Sequence, residues 1–361
     1  MTGVAAERAR LYQTVRSAHL ERARVLAPAT ILYRATRYDF DRALARDLDL
    51  VPAGPVRAAW LLARSQVRQL EVNEPLMLAS LRRTALALAV LRLRHRFGGP
   101  RTQCVSYAIE NANPFARPAH GRARLTRLQD RLLARFVWAS LDRVAFGTEA
   151  AQHTYASVFG TAAGPAQRTH IPALPAACSC ADDGSPSAPQ IVFLGALAAR
   201  KGFPQLLDAW PYLKVWRPDA RLVILGSGPL EGRARALADA DAAVELHIDP
   251  SRAGIHAHLR RTSVLVLPSQ PAPGWREQVG LPICEGLAHG STIVTSGETG
   301  LAGWLEAHGH AVLRASAGPQ EWATAVDGAL RADRSKFAVL QDLPPIDGRL
   351  AADDWLFGDA P

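Results

Sequence analysis

The chain of 361 residues is longer than one ordinary core, so two domains are expected, and 48% apolar with 21% charged residues excludes wholesale disorder. Its formal charge of +9 is unevenly held: residues 1–180 carry 26 Arg or Lys against 12 Asp or Glu, and residues 181–361 carry 16 against 21. A basic front half suits an anionic membrane leaflet, a phosphorylated acceptor or nucleic acid, although Arg-rich composition alone supplies much of it. Nucleic acid is not expected, because no recognised binding motif accompanies the charge.

The N-terminus, MTGVAAERAR, is charged and lacks the apolar core of a secretory signal, and no apolar run reaches the length of a membrane span. Residues 1 to about 24 read as a polar, Arg-rich helix. Val25 to Tyr33 and Val67 to Val72 read as short strands, with a solvated face over Asp39 to Asp49 between them. Leu76 to Arg96 is a helical pattern, apolar along one side and basic at its C-terminal end, where cations suit the dipole. After Gly98-Gly99-Pro100, the strand Thr102 to Ala108 runs into a polar loop holding Glu110, Asn111 and Asn113. Ligands bind beyond the carboxyl ends of strands in open α/β sheets, so these three are acceptor-side candidates, for sugar hydroxyls or acid/base work; capping of the following helix is the equal alternative. A basic amphipathic helix over Arg122 to Ser140 and a strand over Asp142 to Gly147 follow, and Thr148 is an N-cap.

Residues 172–189, PALPAACSCADDGSPSAP, have a hinge-like composition. Strands are then expected at Ile191 to Gly195, Arg221 to Gly226, Val244 to Ile248, Val264 to Pro268 and Thr292 to Thr295. Helices alternate with them at Phe203 to Leu213, Pro229 to Ala240 and Ile255 to Arg261. The alternation in both halves points to two Rossmann-like, doubly wound α/β domains facing across a cleft.

Cys104, Cys178, Cys180 and Cys284 make no disulfide framework. Cys178-Ser179-Cys180 is too close for a normal structural disulfide and lacks metal-ligand partners at familiar spacing. No zinc spacing, Walker loop or Asp-x-Asp clamp is present, and the scattered histidines, His256 and His289 among them, read as surface or core residues; no metal is expected. A reducing, cytoplasmic setting follows, with peripheral contact to the inner face of an anionic membrane as a minority reading.

The stretch Gly274 to Gly290 carries the chemistry. A helix starting just after Gly280 points its free N–H groups between Glu277 and Glu285, where an anion is favoured. Glu285 suits the two hydroxyls of a ribose, and Glu277 a sugar ring or the positive charge of an oxocarbenium-like state. Upstream, a strand ends at Gly195 and a helix begins after Gly202, so Arg200 and Lys201 sit at the sheet mouth, placed to neutralise a diphosphate. Gly226-Ser227-Gly228 reads as a tight turn lining a nucleotide site, since the third glycine, Gly232, is one residue late for a dinucleotide fingerprint.

The order FLGALAARKGFPQLLDAW, RLVILGSGPL, VLVLPSQ, EQVGLPICEGLAHGSTIVTS resembles the C-terminal domain of glycosyltransferase family 4, retaining enzymes of GT-B fold, over about residues 189–315. The resemblance implies a UDP- or GDP-sugar donor with no obligatory cofactor. Its residues would be Arg200 and Lys201 at the phosphates with Gly195 and Gly226 beside them. The N–H groups of Val279, Gly280 and Leu281 would meet phosphate and sugar, Glu285 the ribose and Glu277 the transferred sugar. Ala196 stands where the family often has Arg, and Gln278 where it usually has Gly. The expected layout is an acceptor-binding domain over 1–171, a linker over 172–189, a donor domain over 190–330 and a tail over 331–361 that packs back on the front domain. The implied activity is hexosyl transfer to a polysaccharide, lipid-linked or small-molecule acceptor, in cell-envelope or natural-product glycosylation. The alternative is a catalytically silent GT-B subunit that binds nucleotide sugar.

Overall fold

A computed structural model describes residues 4, 6–36, 40–116, 120–160, 164–180 and 189–358. Asp39, the head of the expected solvated run, and residues 181–188 of the expected linker lie outside the described residues. The chain divides into two compact units, residues 1–172 with 349–361, and residues 173–348.

Unit 1 opens with β1 (Arg8–Val15), α1 (Ser17–Ala23), β2 (Thr30–Thr36), β3 (Leu50–Pro52) and α2 (Pro55–Ala63). It continues with β4 (Gln69–Val72), α3 (Leu78–Arg96), β5 (Gln103–Ala108), α4 (Arg122–Trp138), β6 (Arg143–Phe146), α5 (Glu149–Phe159) and β7 (Gln167–His170). All seven strands are parallel, in the order β3-β2-β1-β4-β5-β6-β7. The expected N-terminal helix is corrected here. Ala9, Leu11 and Val15 are fully buried in β1, an interior strand of the sheet, and a short helix follows only from Ser17. Thr148 caps α5 as expected, accepting a hydrogen bond from the Ala151 N–H.

Unit 2 runs β8 (Gln190–Leu194), α6 (Phe203–Trp216), β9 (Arg221–Leu225), α7 (Glu231–Ala240), β10 (Val244–His247), α8 (Arg252–Arg260) and β11 (Val264–Leu267). It ends with α9 (Leu281–Ala288), β12 (Thr292–Ser296), α10 (Ala302–Ala307), β13 (Ala311–Leu313), α11 (Pro319–Ala332) and α12 (Lys336–Gln341). Its six strands are also all parallel, in the order β10-β9-β8-β11-β12-β13. Every residue of β8, β11 and β12 is buried, as continuous apolar runs require when helices cover both faces of a parallel sheet. Among the described residues no helix is long and apolar enough to cross a membrane.

The last helix, α13 (Gly348–Phe357), belongs to unit 1 from Arg349 onward. Ala352, Leu356 and Phe357 bury against Val105 of β5 and Ala145 of β6. A charged layer accompanies this apolar one. Arg10 on β1, Glu71 on β4, and Asp353 and Arg349 on α13 are each at most 7% exposed. Arg10 Nη1 donates to Glu71 Oε2 at 2.5 Å and to Asp353 Oδ1 at 2.7 Å, and Arg349 donates to Glu71 Oε1. Burial alone would raise the Glu71 pKa, but Arg349 and Arg10 beside it bring it down to about 2. Two buried cations and two buried anions thus neutralise one another in the interior, and Arg8, less deeply buried, adds a third cation by donating to Asp353 Oδ2 at 3.4 Å. Asp353→Ala leaves Arg10 and Arg349 with one shared carboxylate, and chemical denaturation should show a loss of about 3–5 kcal/mol.

Candidate functional site

In unit 2, β8 lies between β9 and β11, and the chain leaves β8 first toward one side of the sheet and later toward the other. The crevice beyond the carboxyl ends of strands at such a reversal is where doubly wound sheets hold ligands. The loops 195–202 after β8, 226–230 after β9 and 268–280 after β11 converge there. Leu197 N–H donates to the Ser227 carbonyl, and Leu230 N–H to the Leu197 carbonyl, both at 2.9 Å, so the first two loops pack backbone to backbone. A Cβ on Gly226 would stand 2.0 Å from the Gly195 carbonyl oxygen, which is why glycine occupies this turn.

The first and third loops meet through charge. Lys201 Nζ donates to Glu277 Oε2, and Ser269 Oγ donates to the same oxygen at 3.0 Å. Lys201 and Glu277 have side chains only 12% and 9% exposed. Arg200 is exposed, and its guanidinium lies 4.7 Å from the centre of the Trp275 ring, with Lys201 Nζ 5.4 Å from the same ring. A cation over an aromatic face is favourable, and Trp275 so gives both cations a common wall. Gln270 N–H donates to the Arg200 carbonyl at 2.9 Å, tying the two loops again.

Gly280, at φ 82°, is the N-cap of α9 and lets the chain turn sharply from the Glu277 loop into the helix. Cys284 N–H reaches the Gly280 carbonyl, and Pro282 has no N–H, so helix geometry leaves the N–H groups of Leu281 and Ile283 without an intrahelical acceptor. A Cβ on Gly195 would lie 3.8 Å from Pro282 Cγ, which places the end of β8 against this first turn. Val279 is buried and its carbonyl accepts from Thr299 Oγ1 at 2.8 Å, whereas Leu281 is 45% exposed. Glu285 lies one turn along α9, and its Oε1 accepts from Arg252 Nη1, at the start of α8, at 2.6 Å.

The cluster thus brings together Arg200, Lys201, Glu277, Gly195, Gly226 and the start of α9, while Glu285 forms a second pair with Arg252. Ser269, Trp275 and Arg252 were not singled out from the sequence. Each meets its partner through tertiary contact, and only the position of Ser269 just beyond β11 offered a local clue.

The acceptor-side candidates sit in unit 1, beyond β5. Glu110 Oε1 accepts from Ala112 N–H at 2.9 Å and Asn113 Oδ1 accepts from Phe115 N–H at 2.8 Å, so both side chains hold turns within their own loop. They do not cap α4, whose N-cap is Gly121. Asn111 is 3% exposed and its carbonyl accepts from Thr154 Oγ1. The loop is anchored by Glu74, beyond β4, whose Oε2 accepts from the N–H groups of Ile109 and Glu110 and from Tyr155 Oη, at 2.9–3.0 Å. Burial first, and the nearby Glu110 carboxylate second, push the Glu74 pKa up to about 8, against the pull of those three donors.

Glu74 therefore holds its proton in the folded protein where the unfolded chain has released it. A raised folded pKa adds stability that is full below about pH 4.5 and is lost as pH rises through about 8. In thermal melts across that window, Glu74→Gln should remove the decline, so that the variant gains on the wild type as pH rises.

Two further groups in unit 2 bring metal-ligating atoms within 4.8 Å of one another: Cys178, Cys180, His256 and His289, and, more exposed, Glu245, His247 and His258. The sequence spacing around Cys178-Ser179-Cys180 gave no sign of the first group, because its histidines arrive from α8 and from the end of α9.

Residues 188–332 match the family model of glycosyl transferases group 1. A comparison with curated protein sequences finds no match. Among solved structures, the chain is similar to a lipopolysaccharide outer core galactosyltransferase, WaaB, in its apo form, with a TM-score of 0.65 and 10% identity over 96% of this chain and 98% of that one. HepE of Anabaena in complex with UDP gives a TM-score of 0.63 and 12% identity, over 98% and 96% of the two chains. A UDP-forming α,α-trehalose-phosphate synthase from Burkholderia xenovorans gives 0.62 and 13%, over 98% of each. At these identities the structural likeness establishes the fold, and the family match covers the unit that carries the cluster at the sheet reversal. Residues 188–332 match the glycosyl transferases group 1 family, and the chain has the GT-B fold of the solved glycosyltransferases it resembles.

Proposed function

We propose that unit 2 binds a nucleoside diphosphate sugar and that the enzyme transfers its hexosyl group, with retention, to a polysaccharide, lipid-linked or small-molecule acceptor held by unit 1. The observation that carries this reading is the Lys201–Glu277–Ser269 cluster beside the start of α9, at the reversal point of the unit 2 sheet. HepE, similar in fold, is described in complex with UDP and with UDP-glucose, which supports a uridine nucleotide as the first donor to try.

In this scheme the diphosphate lies against Arg200, Lys201 and the N–H groups of Leu281 and Ile283. As the bond from the anomeric carbon to the diphosphate oxygen breaks, these groups stabilise the charge that develops on the leaving group. The acceptor hydroxyl forms its bond to the same face of the anomeric carbon, and its proton passes to the departing phosphate oxygen. Glu277, held by Lys201 and Ser269, presents a fixed carboxylate to the sugar. Glu285 accepts hydrogen bonds from the two ribose hydroxyls, with Arg252 fixing its orientation.

The basic front half finds a concrete surface in α4. Leu125, Leu128 and Leu132 recur at helical spacing and are 55–64% exposed, among Arg122, Arg124, Arg127, Arg131 and Arg135. An apolar stripe flanked by arginines suits the interface of an anionic leaflet, where a lipid-linked acceptor would be presented.

Calorimetric titration tests the donor assignment. The wild type should bind UDP-glucose or GDP-glucose, and Glu285→Ala should weaken that binding at least tenfold, about 1.4 kcal/mol. Equal affinities would contradict the ribose role. For the surface, cosedimentation should show binding to phosphatidylglycerol vesicles and not to phosphatidylcholine vesicles, and Leu128→Asp should weaken it.

A further inference from the structure

One helical turn beyond the Arg252–Glu285 pair, the same two helices bring a second set of side chains together. His256 follows Arg252 by four positions on α8, and His289 follows Glu285 by four at the end of α9. His289 Nε2 lies 3.1 Å from His256 Nδ1, which is 3.6 Å from Cys178 Sγ, and Cys178 Sγ is 3.0 Å from Cys180 Sγ. We propose that Cys178, Cys180, His256 and His289 form a structural site for a tetrahedral divalent cation, with zinc the ion that fits a two-thiolate, two-imidazole set.

The distances agree with such an ion. With metal–sulfur bonds of about 2.3 Å and metal–nitrogen bonds of about 2.05 Å, a regular tetrahedron separates its nitrogens by about 3.3 Å and nitrogen from sulfur by about 3.6 Å. The sulfur pair, about 3.8 Å apart in that figure, needs to open by less than about 1 Å. At 3.0 Å the sulfurs are also well beyond a disulfide bond of about 2.05 Å.

The surroundings orient these ligands. His289 Nδ1 lies 2.7 Å from the carbonyl oxygen of Glu285, which can only accept, so Nδ1 carries the proton and Nε2 presents its lone pair. A metal-bound histidine with its other nitrogen on a carbonyl is the usual supporting arrangement. Cys178 N–H donates to the Ala288 carbonyl at 2.8 Å, which pins the segment after Ala173 beside His289. His289 is 7% exposed, while the two cysteines and His256 are half-buried, so an ion can enter from solvent.

On binding, both thiols lose their protons to solvent, and His256 carries its proton on Nε2 so that Nδ1 can bind the ion. Two thiolates neutralise the dication, and no net charge remains at the centre. The ion fastens α8 to α9 and to the segment preceding β8, one turn from the carboxylate of Glu285.

Metal content and cobalt spectroscopy test the site on the full-length enzyme without nucleotide, so the result does not depend on the donor assignment. Protein purified without chelator should carry about one zinc per chain. After removal of zinc, cobalt(II) should give thiolate-to-metal charge-transfer bands and the intense visible bands of tetrahedral geometry. Both signals should vanish in the Cys178→Ser, Cys180→Ser double variant and persist when His247 of the exposed group is replaced by alanine. Cys180→Ser alone, which disturbs the segment less, should weaken the charge-transfer bands. Folded wild type with no bound zinc and no tetrahedral cobalt spectrum would overturn the proposal, as would cobalt bands that survive loss of both cysteines.

Discussion

The buried ion pair between Lys201 and Glu277 is the constraint around which unit 2 is arranged at its functional end. Each group would be costly to bury alone, and each is held by the other, with Ser269 also donating to Glu277. The pair requires loop 195–202 and loop 268–280 to lie together, and both loops are set by parallel strands that are buried throughout. Gly202 permits the approach, since a Cβ there would stand 1.8 Å from the Pro268 carbonyl oxygen. Gly280 then turns the chain into α9, so that the fixed carboxylate, two cations and the helix N-terminus share one place. In the proposed donor site a diphosphate would meet positive charge already oriented, with little reorganisation left for the reaction itself.

Unit 1 uses buried charge differently. The Arg10–Glu71–Asp353–Arg349 network joins the two central strands to a helix from the other end of the chain. Removing one partner would leave an uncompensated buried charge, so the network ties the position of α13 to that of the sheet. Glu74, beyond the carboxyl end of β4, is buried beside the Glu110 carboxylate, and its pKa is pushed up to about 8. Its three hydrogen bonds fix the loop of Glu110 and Asn111.

Five of the six rear strands were legible in the sequence, most clearly β8, β9 and β11, whose apolar runs end in Gly195, Gly226 and Pro268; β13 (Ala311–Leu313), only three residues long, was not. The parallel architecture of the front half was legible from its alternation of strands and helices, but β1 was not. Arg8 and Arg10 give Arg8–Val15 the composition of a solvated helix, and the partner that allows Arg10 inside, Asp353, stands 343 positions away. β7, of sequence QRTH, is half exposed at the sheet edge and carries no apolar signal. Within the site, Arg200 and Lys201 stood out through their place after a strand, and Glu277 and Glu285 through their spacing around Gly280. Arg252 did not stand out, because it meets Glu285 from another helix, and neither did the cysteine–histidine group, whose members come from α8, the end of α9 and the segment before β8.

Amide hydrogen exchange measured with and without UDP-glucose, and in parallel with GDP-glucose, addresses the central claim most directly. The account predicts that the accepted nucleotide sugar slows exchange in residues 195–202 and 279–285, with the front sheet unchanged by the donor alone. Protection confined to unit 1, or none in these two segments under saturating donor, would contradict it.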